Sequence, residues 1–311
     1  MTWWCTGVRW HIERGPALGW YADGRGERES ALVRGAALAF RARGERRCAG
    51  VWRGGRRTPC PVGAGVPGRA TRAQCEECAR VDRAHSVAAD TFADDPRPYH
   101  VYVAWFGPGL VKVGITGVAR GGTRLLEQGA VAFSWLGRGP LMAARRTEEL
   151  LRTALGVPDR IPYARKRALR ARLPDAAARA RELAELHRRA VGLDGWPESL
   201  ERLPCAVVDH AEVFGLDGMA AAGGVVSELV DGGVVAGTLV GVAGADVYLA
   251  VREEREGREG VGSSGLLVLD GRLMGGWRLE AAGELEAGGE LGVTVPVVPV
   301  REISAVQGGL F

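Results

Sequence analysis

Lysine is nearly missing from this chain. Of its 41 basic residues only two, Lys112 and Lys166, are lysine; the rest are arginine. Arginine therefore does the general work of positive charge, and Lys112, on an apolar strand, raises the question of what a compact, titratable ammonium does there. Asparagine is absent altogether. Long apolar runs are missing too. The least charged long stretch, "GGVVAGTLVGVAGA", is 14 residues, broken by glycine and ended by Asp246. A spanning helix needs about 18 or more apolar residues, so a transmembrane span is not expected. "MTWWCTGVRWHIERG" has no apolar h-region and no small-residue cleavage site, which argues against a signal peptide. The expectation is a cytoplasmic protein with no membrane partner, whose six cysteines stay reduced.

What is present suits a globular protein of two or three domains. The 311 residues are 46% apolar and 25% charged, ordinary values, while Gly 47 and Pro 15 favour loops and short strands. The net charge of +4 hides an asymmetry. Cys205–Phe311 holds 6 arginines against 16 acidic residues, so the preceding residues carry a marked positive excess. That excess could attract a polyanion, and the last third would repel one; a basic, solvated surface is the alternative.

Three blocks follow from the pattern. Residues 1–96 read as a β-rich segment with a loop-rich cysteine stretch, running into the linker "FADDPRPYH" that crosses to the next block. Residues 97–195 carry two strands around Gly-Pro-Gly, "YHVYVAWFGPGLVKVGIT", a short helix "TRLLEQGA" and a third strand "VAFSWLG". Two clearer helices follow: "PLMAARRTEELLRTAL", and "PDAAARARELAELHRRAVG" with Pro174 at its start and Gly192 past its end. Residues 196–311 show short Val/Leu runs between glycines, the spacing of an all-β domain, with "EEREGREG" as a solvated hairpin tip.

Cys48, Cys60, Cys75 and Cys78 are spaced C-x11-C-x14-C-x2-C. A Cys-x2-Cys knuckle puts two thiolates on one turn, and two more complete the tetrahedron that Zn²⁺ prefers. A loop-rich, weakly apolar segment also needs such a staple. Structural zinc is the expectation; four free thiols, redox use of Cys75 and Cys78, or His85 as a substitute ligand are the alternatives. The zinc region is either a clip holding neighbouring strands or a nucleic-acid knuckle, with Arg46, Arg47, Arg53, Arg56, Arg57, Arg69 and Arg72 as its surface. Cys5 and Cys205 read as packing residues.

"HVYVAWFGPGLVKVGIT" resembles the start of a GIY-YIG nuclease domain, with "HVY" and "KVG" in place of the two signatures. The family's domain is a small antiparallel three-stranded sheet flanked by helices, in the order β-β-α-β-α, and the elements above match it over roughly Tyr99–Arg172. "KVGIT" resembles the branch in which lysine replaces the second tyrosine. The whole chain also resembles an uncharacterised family catalogued as domain of unknown function 2797, through "GERRCAGV", "CEEC", "VKVGIT", "TRLLEQGA", "DRIPYARKR" and "GTLVGVAGADVYLAV". The nuclease resemblance implies Tyr102 as the first tyrosine, Lys112 in place of the second, Arg124 as the helix arginine and Glu148 as the Mg²⁺ or Mn²⁺ ligand. The late asparagine of many relatives is missing. The implied architecture is α+β: a central GIY-YIG-like antiparallel three-stranded sheet with helices, preceded by a β-rich zinc-binding segment and followed by an all-β domain.

Helical periodicity bears on Glu148 independently. At 100° per residue Leu141, Ala144, Leu151 and Leu155 share an apolar arc with Thr147 and Leu150, and Glu148 falls inside it, whereas Glu149 falls on the polar side. An ionised carboxylate on a buried face costs several kcal/mol unless it binds a cation or is paired, for instance with Arg124. Arg120, Arg124 and Gln128 recur every four residues and share a face only if the helix runs back through Gly121 and Gly122. Arg124 suits a phosphate clamp, or an ion pair with Glu127. Asp159–Leu173 holds six basic residues. Tyr163 lies among them and could stack on a base, so Arg120, Tyr163, Arg165, Lys166 and Arg167 are the candidate nucleic-acid contacts, with a charged helix face as the alternative. The function expected is a metal-dependent nucleic-acid phosphodiester hydrolase, with Tyr102, Lys112, Arg124 and Glu148 as its catalytic residues. A non-catalytic nucleic-acid-binding module, or an enzyme of the same fold acting on a small molecule, are the alternatives.

Overall fold

The computed structural model describes residues 2–53, 56–84, 97–158, 160–252, 264–282 and 292–300. His85, the Glu253–Gly260 tip and the first part of the Phe92–His100 linker lie outside them. The chain forms two compact units, one from Met1–Thr91 with Ala222–Pro299, the other built on Phe92–Ala221. Among the described residues no helix is long and apolar enough to cross a membrane.

The chain opens in the first unit with an antiparallel meander, β1 (Trp4–His11), β2 (Gly15–Ala22) and β3 (Gly26–Ala31). Strand β4 (Ala37–Arg43), a short hairpin of β5 (Val51–Arg53) and β6 (Arg56–Thr58), and helix α1 (Glu76–Ala84) follow.

The second unit contains β7 (Tyr99–Trp105), β8 (Val111–Gly117), a 3-10 turn Val118–Arg120, α2 (Thr123–Gln128), β9 (Ala132–Gly139) and α3 (Leu141–Leu155). Then come α4 (Tyr163–Arg170), α5 (Ala176–Val191), β10 (Glu201–Arg202), β11 (Val208–Asp209) and α6 (Ala211–Phe214). Strand β7 runs antiparallel between β8 and β9 and is buried along nearly its whole length, which is why it reads as one apolar run. Helix α3 buries Leu141, Ala144, Thr147 and Leu151, the arc that its periodicity predicts, and the buried Thr147 hydroxyl donates to the Ala143 carbonyl at 3.0 Å. Gly156 ends α3 at φ +64, a left-handed cap that a residue with a Cβ adopts only with strain. Asp175 caps α5 by accepting from the Ala178 N–H at 2.7 Å, an interaction worth about 1 kcal/mol.

The chain then returns to the first unit with β12 (Gly224–Val226), β13 (Val234–Ala243), β14 (Asp246–Arg252), β15 (Ser264–Asp270), α7 (Gly271–Met274), β16 (Arg278–Ala281) and β17 (Val297–Pro299). With β4 they make a seven-stranded sheet, order β16-β4-β13-β14-β15-β12-β17, in which β12 and β15 are parallel neighbours.

The fold is α+β, but its blocks are not laid out as the sequence pattern drew them. The strands of 196–311 do not make a sheet of their own: β4, from the first block, fills the place between β13 and β16. The stretch from Trp196 to Ala221 belongs to the central unit, where β10 and β11 pair with β9 and cover an edge that would otherwise stay open. Two-residue strands carry no periodicity, so the pattern does not register them.

Arg46, one of the arginines offered above as a knuckle surface, is 2% exposed. Its guanidinium donates to the carbonyls of Gly275 (2.8 Å), Pro67 (2.7 Å), Ala70 (2.6 Å) and Arg272 (3.0 Å). One planar fork thus ties the cysteine-rich loop to α7 and the turn before β16. Burial lowers its pKa to about 10, against the pull of Cys5 and Asp270, so it stays charged at neutral pH. Arg46→Leu strands these carbonyls and is expected to cost about 3 kcal/mol or more in urea unfolding. Arg46→Lys recovers only part of the loss, because an ammonium lacks the fork. A loss within about 0.5 kcal/mol, the range of ordinary surface substitutions, would show that the guanidinium is not a structural tie.

Candidate functional site

Tyr102 sits at the middle of β7, opposite Gly114 on β8 and Trp135 on β9. A Cβ at residue 114 would meet the Tyr102 hydroxyl and ring, with Cζ at 2.5 Å, so the phenol lies across the space that glycine leaves open. Tyr102 is 1% exposed and packs with Ala104, Phe106, Leu110, Leu125, Ala130, Phe133 and Ile161. Its hydroxyl accepts from Gln128 Nε2 at 2.9 Å. Lys112 stands opposite Ala104, and residues two apart on a strand share a face, so Lys112 and Tyr102 lie on the same face of the sheet.

Three charged groups from other elements act on this phenol. Burial raises its pKa above the usual 10; the Gln128 hydrogen bond and Arg124 pull it down, Glu148 pushes it up, and Arg120 again pulls it down. Arg124, Arg120 and Glu148 are thus each within electrostatic reach of Tyr102, although they come from α2, the preceding turn and α3. Glu148 is half-buried. Arg120 donates to Glu127 Oε2 at 2.6 Å, and Arg124 lies 3.7 Å from the same oxygen. The arginine pair expected from the spacing is present, but not on one helix: the helix starts at Thr123, and Glu127 gathers the two cations instead.

The basic run at Asp159–Leu173 divides. Asp159 is outside the described residues, and Arg165 is exposed. Arg167 is half-buried beside the Tyr163 ring, 5.6 Å from its centroid. Lys166 corrects the expectation of a nucleic-acid contact. It is 5% exposed, its ammonium donates to the Gln128 carbonyl at 2.8 Å, and it lies over the rings of Phe106 (4.2 Å) and Tyr163 (4.6 Å). Tyr163 is half-buried, and its hydroxyl donates to the Glu127 carbonyl at 3.3 Å. These groups dock α4 on the last carbonyls of α2, where a cation suits the helix dipole. The sequence reading missed Gln128 as the partner of Tyr102, although its four-residue spacing from Arg124 was visible. It also missed Gly114, which a register counted outward from the Gly-Pro-Gly turn places opposite Tyr102.

In the first unit the sulfurs of Cys48, Cys60, Cys75 and Cys78 all lie within 4.8 Å of one another, with Cys60 and Cys75 at 4.0 Å. Tetrahedral ligation at Zn–S distances near 2.3 Å puts sulfurs roughly 3.8 Å apart, so the set fits such an ion. The Cys75 and Gly50 N–H groups point at the Cys48 sulfur at 3.2 and 3.4 Å. Burial pushes the Cys48 and Cys78 thiols up. Burial also acts against Cys60, yet the N–H groups of Ala64 and Val62 and the neighbouring thiols hold it at about 7. Val51 and Val66 are the other buried members of this small core, too few to hold the loops alone. All four cysteines are free of disulfides.

An α+β protein with a four-cysteine cluster able to bind a metal is the class that fold and sites define. The chain belongs to the family "Protein of unknown function (DUF2797)", which it matches over residues 35–278. No curated protein and no solved structure matches it.

The raised Tyr102 pKa has a measurable consequence. Above pH 10 an unfolded tyrosine loses its proton while the buried one keeps it, so this residue's contribution to stability falls as pH rises from 10 towards its folded value. Urea unfolding across that alkaline range is expected to show a shallower decline for Tyr102→Phe than for the parent protein. Equal slopes would mean that the phenol is not held neutral by burial.

Proposed function

We propose that the Tyr102 cluster is the active site of a metal-dependent nucleic-acid phosphodiester hydrolase of the GIY-YIG type. The observation that carries this reading is the convergence of a phenol, two arginines and a carboxylate from separate elements on one antiparallel sheet, in which β7 lies between β8 and β9 and the short β10 and β11 extend the β9 edge. The strand-strand-helix-strand-helix order supports the same reading.

In this reading Arg124 and Arg120 bind the non-bridging oxygens of the scissile phosphate, exchanging Glu127 for the substrate. Tyr102, held neutral by burial, orients the attacking water through its hydroxyl and is not the base that deprotonates it. Lys112, on the same face, supplies an ammonium able to hold or release a proton beside the phosphate, a task that an arginine performs poorly. Glu148 belongs to no cluster of three or more potential ligands among the described residues. A lone carboxylate does not make a zinc cage, but it suits Mg²⁺ or Mn²⁺, which bind through one or two carboxylates, waters and substrate phosphates. Such an ion supplies charge neutralisation at the scissile phosphate. Arg165 and Arg167 are the remaining candidates for contacts to the strand. In the first unit the four cysteines hold structural zinc, a clip for loops that lack a core.

Two measurements test this. A cleavage screen over single- and double-stranded DNA and RNA, with Mg²⁺ and with Mn²⁺, is expected to show hydrolysis that Glu148→Gln abolishes and Arg124→Ala lowers about 100-fold, while binding persists. A parent protein that binds but never cleaves would point to a binding module instead. Metal analysis is expected to find about one zinc per chain, lost in Cys60→Ser together with stability of the first unit. A metal-free parent protein with unchanged stability would remove the zinc clip.

A further inference from the structure

The first unit holds a cavity of about 350 Å³ that neither the cysteine cluster nor the Tyr102 site uses. It opens where the β1-β2-β3 meander faces the β16-β4 edge of the large sheet. Leu18 and Phe40, both buried, form apolar wall, and Trp3 and Trp20 flank it. The register explains the arrangement: Trp20 on β2 stands opposite Arg28 on β3, so indole and guanidinium emerge side by side on one face, with Leu18 two residues away. Trp20 is fixed by an N–H bond to the Ser30 hydroxyl at 3.1 Å.

The rim is cationic. Arg28 lies over the Trp3 ring at 4.1 Å and has no carboxylate partner among the described residues. Glu280, the acid of the rim, is shared by Arg43 at 2.9 Å and Arg278 at 3.2 Å, so two guanidinium groups face one carboxylate. Indole walls favour a planar π-system, and a guanidinium already stacked on one of them leaves its N–H edge available to an anion. The volume is at the lower end of the range for small-molecule sites, enough for one or two fused rings with a short anionic arm.

We propose that this cavity binds a small planar aromatic anion, its ring between Trp3 and Trp20 and its phosphate or carboxylate on Arg28. The site is independent of the hydrolase reading, since it shares no residue with the Tyr102 cluster.

Calorimetric titration of the full chain with adenosine monophosphate and with indole-3-acetate tests it. At least one of the two is expected to bind and to quench tryptophan emission. Binding of the first assigns a nucleotide, and of the second an aromatic acid. Adenosine and ribose phosphate, each lacking half of the recognition, are expected to bind about tenfold more weakly than the nucleotide if the nucleotide is the ligand. Arg28 is exposed on an edge strand, so Arg28→Glu is expected to fold and to weaken binding about tenfold or more. Trp3 lies before β1, and Trp3→Ala is expected to weaken binding while leaving the melting temperature within a few degrees of the parent. Glu148→Gln is expected to leave it unchanged. The proposal fails if neither probe binds, or if both Arg28→Glu and Trp3→Ala bind as tightly as the parent.

Discussion

The second unit is organised around the absence of one methyl group. Because residue 114 is glycine, the Tyr102 ring can lie across its neighbour strand, and the hydroxyl reaches Gln128 at the end of α2. There α2 ends on the left-handed Gly129 cap. The carbonyls at that end then receive Lys166 and Tyr163, which bring α4 into place. Arg124 on α2 and Arg120 on the turn before it are set by the same helix. A buried polar group must find its partner or pay heavily, so each bond in this chain constrains the next.

The scarcity of lysine acquires a physical meaning at one of its two positions. Lys166 is enclosed between two aromatic rings and a helix C-terminus, where a compact ammonium fits and a planar guanidinium with five donors would leave N–H groups stranded. Lys112 is on the same sheet face as Tyr102, two residues along the strand from Gly114. The contrast with Arg46, whose fork serves several backbone carbonyls at once, shows the two cations used for what each does better.

Periodicity and spacing made much of this legible. The apolar arc of α3, the hairpin about Gly-Pro-Gly and the cysteine cluster all follow from local pattern, since each depends on residues close together in the chain. What stayed hidden depends on long-range pairing. Nothing near Ala37–Arg43 announces that it will lie between strands that begin at Val234 and Arg278. Lys166 reads as part of a solvated basic run because its partners, Phe106 and Gln128, are far away in sequence. The same holds for Arg46, whose acceptors include Arg272 and Gly275.

In the proposed hydrolase, Glu148, Tyr102 and Arg124 surround one place where a divalent ion and a phosphate would meet. The most direct measurement is paramagnetic broadening by Mn²⁺ in isotope-labelled protein. Trace Mn²⁺ is predicted to erase the signals of Gly114, the Gln128 side chain and the Glu148 backbone in the parent protein and to leave them in place in Glu148→Gln. Broadening that ignores the sheet face around Tyr102, or that persists unchanged in the variant, would contradict it.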